Sequence, residues 1–170
     1  MAIDNCQYSF RDLTMKVLPA HMERIRQELT NPHQMGKFGR HGQGIKTILH
    51  RLGRTDDFMG CYVLIENDTP IYVGVSRSVV SRLIQHVKGR THFDASLAYR
   101  IACDRCPHQL QRKAAMKTPE FLKEFAKAKE YLRSLKVAFI GIDNDVELYL
   151  FEVYCSMELD TCQWNTFRTH

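Results

Sequence analysis

Two tyrosines, an arginine and a histidine, Tyr62, Tyr72, Arg82 and His86, lie within one short stretch of this chain, residues 60–86, GCYVLIENDTPIYVGVSRSVVSRLIQH. Two phenols, a guanidinium and an imidazole suit an anion. Phosphate fits best, because the guanidinium carries a fixed fork of donors. Imidazole has a reference pKa near neutrality and can bind an anion or move a proton.

Such a set needs a compact frame, and the same stretch supplies one. The apolar runs 61–65 and 71–75 flank the polar segment Glu66-Asn67-Asp68-Thr69-Pro70, which predicts a β-hairpin closed by a loop of a few residues. Gly74 ends the second strand in this reading. Ser76 is placed to cap a helix whose apolar positions are Val79, Val80, Leu83, Ile84 and Val87. Arg82 and His86, four apart, share one face of it.

The remaining chain reads as mostly helical. Pro19 is placed to open an amphipathic turn set of Met22, Ile25 and Leu29, and Asn31-Pro32 breaks it. Residues 32–44 combine four glycines with four basic or histidine side chains and no apolar period, which predicts a flexible cationic loop. A short helix is expected over 45–52, a second helical segment over 94–102 and a loop over 103–110. A long helix should begin at Thr118-Pro119-Glu120 with Phe121, Leu122, Phe125, Ala128 and Leu132 as its buried stripe. A strand is expected over 137–142 and a helix over 147–157. The order implies a small α/β (α+β) sandwich: a three-stranded antiparallel sheet flanked by helices, with an N-terminal helical extension.

With 170 residues and 44% apolar content, the chain is long enough to bury a core, and one domain is the natural expectation. The formal charge of +5 is mild, but between Arg77 and Lys117 nine basic side chains face only Asp94 and Asp104. That concentration suits a nucleic-acid backbone. No apolar run is long enough to span a membrane, the first residues lack the layout of a secretion signal, and six cysteines are expected as thiols; the expected location is the cytoplasm. Cys103-Asp104-Arg105-Cys106-Pro107-His108 resembles half of a zinc site, a weak pattern by itself.

Gly60-Cys61-Tyr62 and Tyr72-Val73-Gly74 resemble the two tripeptides that mark the GIY-YIG nuclease superfamily, with Cys61 and Val73 in place of isoleucines. Tyr62 to Tyr72 and Tyr72 to Arg82 are each ten positions apart, Ser76 follows the glycine by two, and His86 follows the arginine by four. Glu152 and Asn165, 13 apart, stand where that family has a helical glutamate and a late asparagine. The resemblance covers residues 59–167. It divides the chain into an extension, 1–55, and a catalytic domain, 56–170, with an insertion around 90–117. It implies a divalent-metal-dependent endonuclease acting on nucleic acid, most readily DNA, as a monomer or homodimer. Tyr62, Tyr72, Arg82, His86 and Glu152 would be catalytic. Gly74, Ser76, Arg77 and Asn165 would belong to the substrate site, Asn165 more by stabilising its backbone than by touching substrate, and Glu152 would hold one Mg²⁺ or Mn²⁺. The alternative is a nucleic-acid-binding module on the same fold that does not cut.

The chemistry is coherent on those residues. Phosphodiester hydrolysis needs an activated water, charge neutralisation in the transition state and help for the leaving oxygen. A lone carboxylate can hold Mg²⁺ whose other ligands are waters and phosphate, whereas the sequence shows no carboxylate cluster for a two-metal site. Tyr62 would relay the water's proton, which requires nearby positive charge to favour the phenolate. Tyr72 would orient the water or phosphate. Glu152 interrupts an apolar helical run, a costly place for a carboxylate without a role. Glu147, the competing carboxylate, is expected to be exposed.

Overall fold

The computed structural model describes residues 3–167, so the first two residues of the expected extension and the last three of the expected catalytic domain lie outside the described residues. In chain order the helices are α1 (Phe10–Asp12), α2 (Leu18–Leu29), α3 (Ile45–Arg51), α4 (Val79–Lys88), α5 (Ser96–Arg105), α6 (Arg112–Ala115), α7 (Pro119–Ser134) and α8 (Asp145–Glu158). The strands are β1 (His33–Gln34), β2 (Gly60–Glu66), β3 (Thr69–Ser76) and β4 (Lys136–Gly141). The chain forms two compact units. One gathers the residues up to His33, Asp56–Val79 and the chain from Lys136 onward; the other comprises Gln34–Thr55 and Val80–Leu135.

The first unit is built on the sheet. β2 pairs antiparallel with both β3 and β4, and the strand order is β1-β4-β2-β3. The mixed helix-and-sheet class agrees with the sequence reading, but the sheet has four strands where three were expected. β1 has two residues, too few for an alternating pattern to register. The hairpin turn is also tighter than expected. Asn67 and Asp68 alone make it, at φ 47° and 65°, the left-handed pair that matches the twist of the flanking strands. The strands therefore take in Glu66, Thr69 and Pro70, and β3 continues past Gly74 to Ser76. A register irregularity between Leu64 and Ile65 sets Ile65 opposite Pro70, which accommodates a residue without an N–H.

One face of the sheet carries Cys61, Val63, Ile65, Val73, Ala138 and Ile140 against Leu18, Met22 and Ile25 of α2 and Leu148, Phe151 and Cys155 of α8. The N-terminal helix expected as an extension thus contributes to the same core as the strands. Pro19 does not open that helix. The chain is already helical from Phe10, where Ser9 caps it, and Leu13–Val17 widens into a π-helical stretch just before the proline. A widened turn relieves the clash and the missing N–H that a proline brings to a helix interior.

β3 is an edge strand, and a side chain closes it. Asn165 Oδ1 accepts from the Val73 N–H at 2.8 Å, while Asn165 Nδ2 donates to the Val73 carbonyl at 2.8 Å. The amide thereby acts as one residue of a missing fifth strand. Thr161, buried, donates its hydroxyl to the same Oδ1 at 2.9 Å and fixes the amide orientation.

The second unit is helical. α5 and α7 pack together, with Leu97, Ile101, Phe121 and Phe125 all buried and the Tyr99 and Phe121 ring centroids 5.1 Å apart. α5 runs on through Arg105, so Cys103 is helical rather than in a loop. Leu122, expected in the buried stripe of α7, is exposed. The expected flexible loop is ordered over Met35–Gly39 as a 3-10 helix that buries Met35 and Phe38. Gly36 and Gly39 permit this: a Cβ would stand 3.3 Å from the Arg133 carbonyl oxygen and 3.2 Å from Val87 Cγ2, respectively. Two apolar residues three apart make one turn, below what periodicity detects. No helix among the described residues is long and apolar enough to cross a membrane.

Asn165→Ala is expected to lower unfolding stability by about 2 kcal/mol, two net hydrogen bonds at roughly 1 kcal/mol each. Urea denaturation reads this as a lower midpoint at unchanged slope; an unchanged midpoint would show that the amide pairing adds nothing.

Candidate functional site

Because side chains alternate along a strand, the residues not facing α2 and α8 leave from the other side of the sheet. Tyr62 stands directly opposite Gly74, and Leu64 opposite Tyr72. The two tyrosine rings lie 6.2 Å apart, tilted by 53°. Gly74 is required by this packing. A Cβ there would collide with Cζ and Oη of Tyr62 and stand 2.9 Å from Tyr72 Cε1. The Tyr62 ring therefore lies across the glycine backbone, which fixes its hydroxyl over β3. Tyr62 is 1% exposed, and Tyr72 is half-buried.

Glu152 projects from α8 beside the sheet-facing residues Phe151 and Cys155. It is half-buried, and burial pushes its carboxyl above the usual carboxylate range. Among the described residues no hydrogen bond or ion pair reaches that carboxylate. Cys61 and Cys155 adjoin it; burial, then the Cys155 thiol, then Glu152 itself push the Cys61 thiol up. These neighbours supply no positive charge. The structure groups Tyr62, Tyr72 and Gly74 on one side of the sheet, while α8 covers the other and contacts mainly β3.

The remaining expected contacts divide. Ser76 Oγ accepts from the Ser78 N–H at 3.0 Å, a local turn ahead of α4; the helix begins only at Val79, so Ser76 does not make the expected cap. Arg77 is exposed and pairs with Asp145 at 3.1 Å. Asn165 uses both ends of its amide on the Val73 backbone, the stabilising place expected of it rather than a substrate contact.

Within the second unit, Arg82 and His86 lie one turn apart on α4. Arg82 Nη1 donates to the Asp94 carbonyl at 2.9 Å and to Gln85 Oε1 at 3.3 Å, and Nη2 donates to Ser96 Oγ at 2.7 Å. Nε–H and one Nη2–H are left over among the described residues. His86 departs from expectation. It is fully buried, and burial, then the Arg82 guanidinium, push its pKa down to about 3. At neutral pH it is uncharged and does not serve as a phosphate-binding cation.

The sequence reading missed a polar cluster at the other end of α8. Glu147, expected to be exposed, has a side chain only 15% exposed and stands 2.9 Å from His21 Nε2. Arg24 donates to His21 Nδ1 at 3.1 Å and to the Gly141 carbonyl at 2.8 Å. An arginine can only donate, so Nδ1 accepts and the imidazole proton sits on Nε2, facing Glu147. The cluster lines a cavity of about 430 Å³ with Tyr8, Asn144 and Asp143. His21 and Glu147 are 126 positions apart, so only the fold could reveal their pairing.

Among the described residues no group of three or more His, Cys, Asp or Glu side chains is arranged to hold a metal ion. An all-protein cage does not fit. Glu152, a half-buried carboxylate to which no protein cation is paired, does fit a Mg²⁺ whose other ligands are water and phosphate. No family model, no curated protein and no solved structure matches the chain. The resemblance to the GIY-YIG superfamily stands on the residues and their spacing.

Two outcomes follow from this geometry. Gly74→Ala should displace the Tyr62 ring and lower the melting temperature by several degrees, with a changed near-ultraviolet circular dichroism spectrum; a native spectrum and melting curve would show that the ring tolerates a Cβ. The His86 ring nitrogens should show no titration in NMR spectra between pH 5 and 8. Its folded pKa lies below the ordinary 6.5, so the unfolded chain binds the extra proton. The stability it confers at neutral pH is lost as pH falls from 6.5 towards 3. A midpoint near 6 in the folded protein would contradict the burial.

Proposed function

We propose that this chain is a divalent-metal-dependent endonuclease of the GIY-YIG type, hydrolysing phosphodiester bonds in nucleic acid, with DNA as the first substrate to try. The observation that carries the reading is Glu152, a half-buried carboxylate with a raised pKa and no hydrogen bond or ion pair among the described residues. Burying such a group without compensation is costly, and a bound cation is the compensation that fits.

A Mg²⁺ or Mn²⁺ ion, when bound, supplies charge neutralisation for the phosphate and acidifies a water. Glu152 would hold the ion. The resemblance makes Tyr62 the residue that would receive or relay the proton of the attacking water; its ring, fixed across Gly74, lies on the face of the sheet away from α8. Tyr72, half-buried and 6.2 Å from Tyr62 between ring centroids, hydrogen-bonds the water or a phosphate oxygen. Arg82, in the second unit, keeps donors beyond its contacts to Asp94, Ser96 and Gln85 with which to bind a phosphate oxygen. His86 has no charge to contribute at neutral pH; as a residue of the buried face of α4 it positions its neighbours.

The second reading, a module that binds nucleic acid without cutting it, is favoured by the near-complete burial of Tyr62. One experiment separates the two. The pure protein is incubated with supercoiled, linear, branched and single-stranded DNA and with RNA, with Mg²⁺ or Mn²⁺, and binding is measured in parallel. Cleavage is expected, with Glu152→Gln and Tyr62→Phe each slowing it about 100-fold or more while binding changes little. Binding with no cleavage of any polymer selects the second reading. Equal loss of binding and cleavage in Tyr62→Phe would remove that residue from proton transfer.

Glu152 also has a signature independent of activity. Its folded pKa is raised, so the folded state holds its proton to higher pH than the unfolded chain. The associated stability is present in acid and lost as pH rises through the carboxylate range. Glu152→Gln should therefore be the more stable protein at neutral pH, and the difference should vanish in acid. Adding Mn²⁺ should raise the melting temperature of the wild type and leave that of Glu152→Gln unchanged.

A further inference from the structure

The second unit holds a thiol site that the phosphodiesterase reading does not use. Cys103 Sγ stands 3.7 Å from His108 Nε2. The Leu110 N–H donates to His108 Nδ1 at 3.1 Å, which keeps the proton of the neutral ring on Nε2, facing the sulfur. A second donor comes from one turn earlier on α5. The Tyr99 hydroxyl is pushed up to about 12 by burial and then by its hydrogen bond to Cys103, so it remains a donor at all ordinary pH. The His108 ring is itself held, edge-on to buried Phe121 at 4.9 Å between centroids. The Arg112 guanidinium lies 5.7 Å from the centre of the Tyr99 ring. One half-buried sulfur thus faces an N–H and an O–H, with a cation nearby.

Cys106 is the other half-buried thiol of the pair. It stands just after α5 with φ −135° and ψ 76°, while its N–H still closes the last turn on the Ala102 carbonyl at 2.8 Å. Residues three apart on a helix hold their Cβ atoms about 5–6 Å apart, and a disulfide requires about 3.5–4.5 Å. Cys106 has left helical geometry, so rotating it inward costs the final turn only.

We propose that Cys103 and Cys106 form a thiol–disulfide exchange site that reacts with a low-molecular-weight disulfide. Cys103, as thiolate, attacks one sulfur of glutathione disulfide. A mixed disulfide forms and one glutathione thiolate departs, taking a proton from water. The Cys106 thiolate then attacks Cys103 Sγ, closing the internal disulfide and expelling the second glutathione. Two protein thiols are oxidised and one glutathione disulfide is reduced to two glutathiones. The Nε2–H of His108 and the hydroxyl of Tyr99 steady the Cys103 sulfur while it carries negative charge.

The test uses the full chain with exposed Cys162 replaced (Cys162→Ser), so that this lone thiol does not compete. After incubation with glutathione disulfide and alkylation, intact mass and peptide mapping should show a Cys103–Cys106 disulfide and no retained glutathione. Adding Cys106→Ser should trap one glutathione, on Cys103. His108→Ala should react about tenfold more slowly, the loss of a charge-assisted hydrogen bond, and His108→Gln, which can still donate, should recover most of the rate. Three results overturn the proposal: no internal disulfide, glutathione trapped at a cysteine other than Cys103 in Cys106→Ser, or one equivalent of tightly held zinc masking both thiols.

Discussion

The pairing of the Asn165 amide with the backbone of Val73 is the constraint on which the sheet unit turns. β3 is the last strand, and an edge strand offers unpaired N–H and carbonyl groups to any passing chain. Here the groups at its centre are taken by a side chain from the far end of the sequence, and Thr161 holds that side chain in register. Val73 sits between Tyr72 and Gly74. Fixing its backbone fixes the direction in which Tyr72 leaves the strand and the flat backbone surface on which the Tyr62 ring lies. A local hairpin and a C-terminal turn thus depend on each other: the hairpin supplies the tyrosines, and the turn keeps their strand from fraying.

Four ionisable groups taken from water end in three different situations. His21 and Glu147 satisfy one another, with Arg24 on the remaining imidazole nitrogen, so that cluster is electrically complete. His86 gives up its charge and sits in the protein as a neutral ring. Glu152 has neither solution. Its carboxyl is pushed up by burial, and among the described residues no hydrogen bond or ion pair reaches it. An incomplete site is what distinguishes a group kept for a ligand from one kept for the fold.

The parts legible in the sequence were those with strong local patterns. The apolar runs on either side of Asn67-Asp68, the apolar stripe of α4 and the long helix after Thr118-Pro119 formed the elements expected of them, because each carries its own local signal. Elements defined by distant contacts did not. The 3-10 turn of Met35–Gly39 exists because two glycines let it approach Arg133 and Val87 closely, and β1 exists because β4 offers an edge. The continuous helix through Pro19 needed a π-helical stretch that no propensity scale anticipates. For the site, residue types and spacing singled out Tyr62, Tyr72, Gly74 and Glu152. They could not show that His86 is buried, since helix position 86 reads the same whether it faces solvent or core, nor that the backbone Asn165 stabilises is that of Val73.

α8 itself supplies the argument for which carboxylate matters. Glu147 and Glu152 lie on one helix, five residues apart, and their spacing alone does not choose between them. Their surroundings do. Glu147 is in the first turn, where backbone N–H groups and the helix dipole already favour negative charge, and His21 adds a donor at 2.9 Å. It has little left with which to attract a cation. Glu152 lies in the middle of the helix, where neither terminal N–H groups nor dipole help, and beside Cys61, whose thiol burial, then Cys155, then Glu152 push up. If one carboxylate of this helix holds a divalent ion, the balance of partners selects Glu152, and Glu147 belongs to the framework that joins α2 to α8.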